Sequence, residues 1–189
     1  MYNNLIKFLE QFGQISEIAI QALLTEIELV ELKKNKIILK QNQVCNYLYY
    51  INNGIVREYY LKKGKEVTAS FGFKNSIISS FASFLSRKPS FEALETLEKT
   101  ELMRIHHDKL QNLYCKYPEI NTLGRKITEF YYLTLEDRIF ASQFCSAKER
   151  YFNLLKQEPD ITQKVSLGYI ASFLGITQET LSRIRARRP

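Results

Sequence analysis

The sequence predicts an α+β fold laid out in three successive segments, and three changes of pattern predict it. Apolar residues recur at helical spacing over residues 1–28. From about Val30 to Ile105 they fall instead in short β-branched and aromatic runs separated by turn residues. From about Pro118 the helical period returns and persists. A chain of 189 residues has room for one medium domain and a smaller one.

The elements follow in order. Leu5, Phe8, Leu9 and Phe12 share one helical face, and the pattern breaks near Gly13. Ser16 is placed as the N-cap of a second helix carrying Ile20, Leu23, Leu24 and Ile27. Lys36–Leu39 and Tyr47–Ile51 read as strands. Asn52-Asn53-Gly54 then offers residues that accept positive φ, which predicts a tight hairpin into Val56–Leu61. Lys62-Lys63-Gly64-Lys65 marks a second turn before Val67–Phe71. Asn75–Pro89 reads as a loop with a short helix, and Phe91–Ile105 returns to strand alternation. Short strands at this spacing indicate a sandwich or barrel.

Beyond Pro118, Ile120, Leu123, Ile127 and Phe130 form one apolar stripe, while Tyr131, Leu135 and Ile139 form a second on a neighbouring face. Two stripes let a long helix serve its own core and a partner, and the first is assigned to dimerisation. A single wide core-facing stripe is the alternative. The joint to the C-terminal unit is expected near Cys145-Ser146.

The most specific pattern is Leu167–Ala186, LGYIASFLGITQETLSRIRA. Two short helices crossing at a tight turn need particular residue types at fixed offsets. Leu167, Ile170 and Leu174 supply an inner face, and Ala171 is small where the helices cross. Gly175 suits a left-handed turn, Ile176 plugs it, and Thr177 caps the second helix, which buries Leu181 and Ile184. Gln178, Glu179, Ser182 and Arg183 then face outward, with Arg185, Arg187 and Arg188 behind them. Arg, Gln and Glu are side chains that read base edges in the major groove, and trailing arginines suit phosphates. A net charge of +7 agrees with a polyanionic partner.

With these residues in view, nearly the whole chain resembles the Crp/Fnr family of bacterial regulators. The resemblance rests on Tyr49–Val67 (YYINNGIVREYYLKKGKEV) and on Gly175–Arg183. The run YIASFLGIT…LSRIR is most similar to regulators from Bacteroidetes. The resemblance implies an N-terminal double-stranded β-helix (β-roll or jelly roll) of cyclic-nucleotide-binding type with its helices at 1–117. It implies a long dimerisation helix at 118–144 and a helix-turn-helix DNA-binding domain at 145–189. It further implies a homodimer on double-stranded DNA at an inverted repeat, with RNA polymerase as a further partner and a small-molecule effector still unidentified. The family's base-reading positions fall on Gln178, Glu179 and Arg183, with Thr177 and Ser182 beside them.

Two departures accompany the resemblance. Family members that bind cyclic nucleotides hold the ribose with a Glu and the phosphate with an Arg. Ser80 stands in the first place, with Ser79 beside it, and Ser90 in the second, while a shifted alignment would bring Arg87 or Lys88 into the pocket. A serine hydroxyl cannot replace a bidentate, charge-assisted arginine, so cyclic AMP is not the expected effector. Many members also continue into a β-hairpin wing, whereas this sequence ends at Arg187-Arg188-Pro189.

Other functions find less support. No GxSxG, HExxH, P-loop or paired-carboxylate pattern points to an enzyme, and neither a cofactor nor a metal is expected. Cys45, Cys115 and Cys145 are too scattered for a zinc or iron–sulfur site and read as reduced thiols. His106 and His107 read as a strand end. With no signal pattern and no long apolar run, a cytoplasmic protein without a membrane partner is expected. The competing class is a ligand-binding or protein-interaction module with weak or vestigial DNA binding.

Overall fold

The computed structural model describes residues 2–186. Two N-terminal helices, α1 (Asn3–Glu10) and α2 (Glu17–Glu26), precede the sheet. Ser16 caps α2 by accepting from the Ala19 amide at 3.3 Å. Its own amide and hydroxyl donate to the Glu119 carboxylate at 2.7 and 2.6 Å, which ties α2 to the long helix. These hydrogen bonds hold the Glu119 carboxyl below its usual range.

Eight strands form two antiparallel sheets: β1 (Glu28–Leu32), β2 (Ile37–Leu39), β3 (Tyr47–Asn53), β4 (Val56–Lys62), β5 (Lys65–Gly72), β6 (Ile77–Ile78), β7 (Ala93–Thr96) and β8 (Thr100–His106). One sheet runs β1-β8-β3-β6 and the other β2-β7-β4-β5. This topology corrects one sequence expectation. β3 and β4 lie in different sheets, so Asn52-Asn53-Gly54 is no hairpin and instead carries the chain across the sandwich. Gly54 has φ +103, and a Cβ there would sit 2.7 Å from the Thr100 Cα. The turn is set by backbone contact with β8 and not by pairing of its flanking strands. The second turn is a true hairpin, with Lys62 opposite Lys65 and positive φ at both Lys63 and Gly64.

The inner faces of both sheets, α1 and α2 share one core that includes Phe8, Tyr50, Ile51, Leu94 and Leu102. The short helix expected between Asn75 and Pro89 is α3 (Phe81–Ser86). The helix α4 (His107–Lys116) has no counterpart among the sequence expectations; His106 ends β8 and caps α4 by accepting from the Asp108 amide. In the 27-residue α5 (Pro118–Phe144), Gly124 lies against the Tyr114 ring of α4, which a larger residue there would have to displace.

The dimerisation stripe needs correction. Ile120, Leu123 and Ile127 are buried, Ile120 and Ile127 within the chain's own core, so they are not free for a partner. Of the four residues only Phe130 is exposed, at 49%. Exposed apolar side chains of the second half of α5 are Leu133, Leu135, Ile139, Phe140 and Phe144, of which Leu133, Phe140 and Phe144 share one face. The reason is packing: α4 and the N-terminal helices claim the first half of α5, while in its second half only the side carrying Tyr131, Leu135 and Arg138 turns to the rest of the chain.

The chain then leaves α5 at Cys145, and α6 (Ala147–Gln157) begins with a complete capping box between Ser146 and Glu149. It continues through α7 (Ile161–Lys164), α8 (Leu167–Phe173) and α9 (Gln178–Ala186). No helix among the described residues is long and apolar enough to cross a membrane.

Candidate nucleic-acid interface

The last four helices build a second core from Tyr151, Leu154, Ile161, Val165, Ile170, Ala171, Leu174 and Leu181. Ile55 and Leu97 of the roll enter the same cluster, so the two units share apolar contact. Within it α8 and α9 cross as their sequence requires. Ile170, Ala171 and Leu181 are buried at the crossing. Gly175 takes φ +68, and the Ile176 amide returns to the Ala171 carbonyl at 3.0 Å. Thr177 caps α9 by accepting from the Thr180 amide at 3.2 Å. Arg150 donates both to the Cys145 carbonyl at 2.6 Å and to the Leu174 carbonyl at 2.9 Å. One α6 side chain thereby joins the end of α5 to the end of α8.

With Leu181 sealed and Ile184 half-buried, the opposite side of α9 faces out. Thr177, Gln178, Glu179, Ser182, Arg183 and Arg185 are all exposed. Arg187 and Arg188 lie outside the described residues. The face combines base-edge donors and acceptors with cations, a composition suited to the major groove.

The residues assigned to an effector pocket divide. Ser79 lines a cavity of about 550 Å³ bounded by the roll, α3, α5, α6 and α8. Ser80 and Ser90 are buried and spend their hydroxyls on each other and on Glu92: Ser90 donates to Ser80 at 2.8 Å, and Ser80 to the Glu92 carboxylate at 2.5 Å. Arg87 does not join them, which corrects its assignment. It ends α3 in the left-handed region, and its guanidinium turns to the Cys45 carbonyl at 2.8 Å and to Asn46.

Sequence reasoning missed the charged groups that do reach the cavity, namely Glu58, Glu92, Arg138 and Glu158. Burial, reinforced by Glu92 and opposed by Arg138, pushes the Glu58 carboxyl up to about 8. Arg138 is itself shifted down by burial, and it donates to the Ala69 carbonyl. No local signal marks these residues: Glu58 lies in a strand with other polar and aromatic side chains, and Arg138 lies on a helix surface.

The fold and these surfaces define a class: a two-sheet roll of cyclic-nucleotide-binding type, carried by one long helix onto a helix-turn-helix. Residues 29–117 match the cyclic nucleotide-binding domain family. The chain is 25% identical over 195 residues to the anaerobic regulatory protein of Pasteurella multocida, spanning 92% of this chain and 71% of that one. FixK2 from Bradyrhizobium japonicum is similar in structure, with a TM-score of 0.72 at 20% identity over 85% of this chain and 83% of the other. A crp/fnr family protein from Eubacterium rectale also has a TM-score of 0.72 at 20% identity, over 94% and 85%. Residues 29–117 are thus similar to the cyclic nucleotide-binding domain family, and the chain shares its fold with these two structures.

Proposed function

We propose that the chain is a transcriptional regulator that binds duplex DNA with sequence specificity, as a homodimer, on an inverted repeat. The observation that carries this reading is the outward set Gln178, Glu179, Ser182 and Arg183 on a helix whose other side is sealed by Leu181. Protein contacts alone do not call for base-reading types at those offsets. Dimerisation through the uncovered side of the second half of α5 would set two α9 helices in successive major grooves roughly 34 Å apart. The names of the curated relatives, anaerobic regulatory proteins, agree with a regulatory role.

The effector is not a cyclic nucleotide in this reading. Ser80, Ser90 and Glu92 satisfy one another where a cyclic phosphate would need a cation, and the carboxylate among them repels an anion. The larger cavity is left to a different small molecule.

Recovery and sequencing of duplexes bound from a random pool, without added effector, tests the reading. An enriched inverted repeat supports it. Failure to enrich any sequence, both alone and with cell extract, overturns it. Saturable binding of cyclic AMP at micromolar concentration overturns the second part.

A further inference from the structure

We propose that the β4–β5 turn, Lys62-Lys63-Gly64-Lys65, is a second DNA-contacting element that lies on backbone phosphates flanking the bases read by α9. This rests on the DNA-binding reading above. Lys62, Lys63 and Lys65 are exposed, and among the described residues no ion pair joins them to a carboxylate. The turn is preorganised: Lys62 pairs with Lys65, and Lys63 and Gly64 hold φ 51 and 76. Three cations are thus held on one tight turn.

Docking of α8 on β5 decides where that turn lies. The Thr68 amide donates to the Ser172 hydroxyl at 2.9 Å, and Phe71 packs on Phe173 at 5.3 Å. Arg57, bonded to Thr68 and Glu66, stacks on Tyr169 at 3.7 Å. From Phe71 back to Thr68 the strand runs toward the turn while its α8 partners run from Phe173 to Ser172, and the Arg57 guanidinium, held at Thr68 and Glu66, meets Tyr169 nearer the start of α8. The turn therefore projects at the N-terminal end of α8. At that same end Gly168 faces Gln178, the first residue of α9, with Oε1 3.7 Å from where a Cβ would stand. A major groove that receives the first turn of α9 brings its bordering phosphates to this edge, where lysines act as point charges without reading sequence.

The test is anisotropy of a labelled duplex against a salt series, using the full chain. The variant Lys62→Gln/Lys63→Asn/Lys65→Gln removes the charges, with Asn chosen because it accepts the left-handed conformation at 63. The control Lys40→Gln/Lys74→Gln/Lys88→Gln removes three exposed lysines from other turns. The expected result is a salt slope less negative by about 0.9 for each phosphate that the turn variant leaves unneutralised, with unchanged base preference and an unchanged slope in the control. An unchanged slope in the turn variant, or an equal change in the control, overturns the proposal while leaving the DNA-binding reading standing. Failure of the unaltered chain to bind any duplex at low salt overturns both.

Discussion

The guanidinium of Arg57, in the roll, stacks 3.7 Å from the ring centroid of Tyr169, in the first helix of the helix-turn-helix. Arg57 is fully buried and also pairs with Glu66 and Glu95, each at 2.7 Å. A cation neutralised within one sheet thereby presents its flat face to the helix-turn-helix unit. We predict that Tyr169→Phe preserves this contact, whereas Tyr169→Ala weakens the docking by about 1–2 kcal/mol. Hydrogen exchange at the Thr68 amide, whose acceptor is Ser172, measures that docking directly. Arg57→Ala should cost about 3–5 kcal/mol in denaturant unfolding, because it leaves the carboxylates of Glu66 and Glu95 without their cation.

Two glycines with positive φ should respond differently to alanine. At Gly54 (φ +103) the new Cβ would meet the Thr100 hydroxyl at 2.5 Å and its Cα at 2.7 Å. The backbone cannot yield there without moving the turn off the start of β8, so Gly54→Ala should cost more than about 2 kcal/mol. Gly175 (φ +68) has nothing within 4 Å of its would-be Cβ. Gly175→Ala should cost only about 1 kcal/mol, and Gly175→Asn less still. Thermal unfolding of the three variants compares them.

Arg183→Ala should weaken binding to the selected duplex by about 1–3 kcal/mol and relax preference at one base pair per half-site. Loss on random duplex should be much smaller. Equal loss on both would show that Arg183 holds phosphate and does not read a base.

The uncovered side of the second half of α5 should be the dimer seam. Leu133 is 62% exposed and Phe140 59%, large apolar side chains that water disfavours. Leu133→Glu/Phe140→Glu should sediment as a monomer with its unfolding transition intact, whereas Ile127→Glu should unfold the roll. A double variant that remains dimeric would refute the assignment.

Glu58 should make stability depend on pH in the direction opposite to most carboxylates. Its carboxyl is raised from 4.5 to about 8, so the folded chain holds a proton that the unfolded chain has released. Its contribution is complete below about pH 4.5 and is lost as pH rises toward 8. Glu58→Gln, an isostere of the protonated form, should flatten that decline. Denaturant unfolding at pH 6 and pH 8 checks it: an equal decline in both proteins would place the cause elsewhere.

The chain's local order was legible because its signals are local. Ser16, Gly175 and Thr177 cap or turn the backbone through atoms a few residues away, and Ile170, Ala171 and Leu181 meet at offsets set by helical geometry. These sites were therefore readable one segment at a time. Asn52-Asn53-Gly54 misleads for the converse reason: its residues permit a turn, but which strands it joins depends on β8, some 50 residues further along. Arg87 offers the right charge at nearly the right place, and the carbonyl that captures it lies on the β2–β3 connection.

The sequence by itself determined the α+β order, the helix-turn-helix and the outward identity of Gln178, Glu179, Ser182 and Arg183, because periods and caps act within one or two helical turns. Only the tertiary structure decided which side of α5 stays free, which charges line the cavity, and how α8 docks on β5. Those outcomes depend on which surfaces cover one another, and burial is a property of the packed chain that no single segment carries.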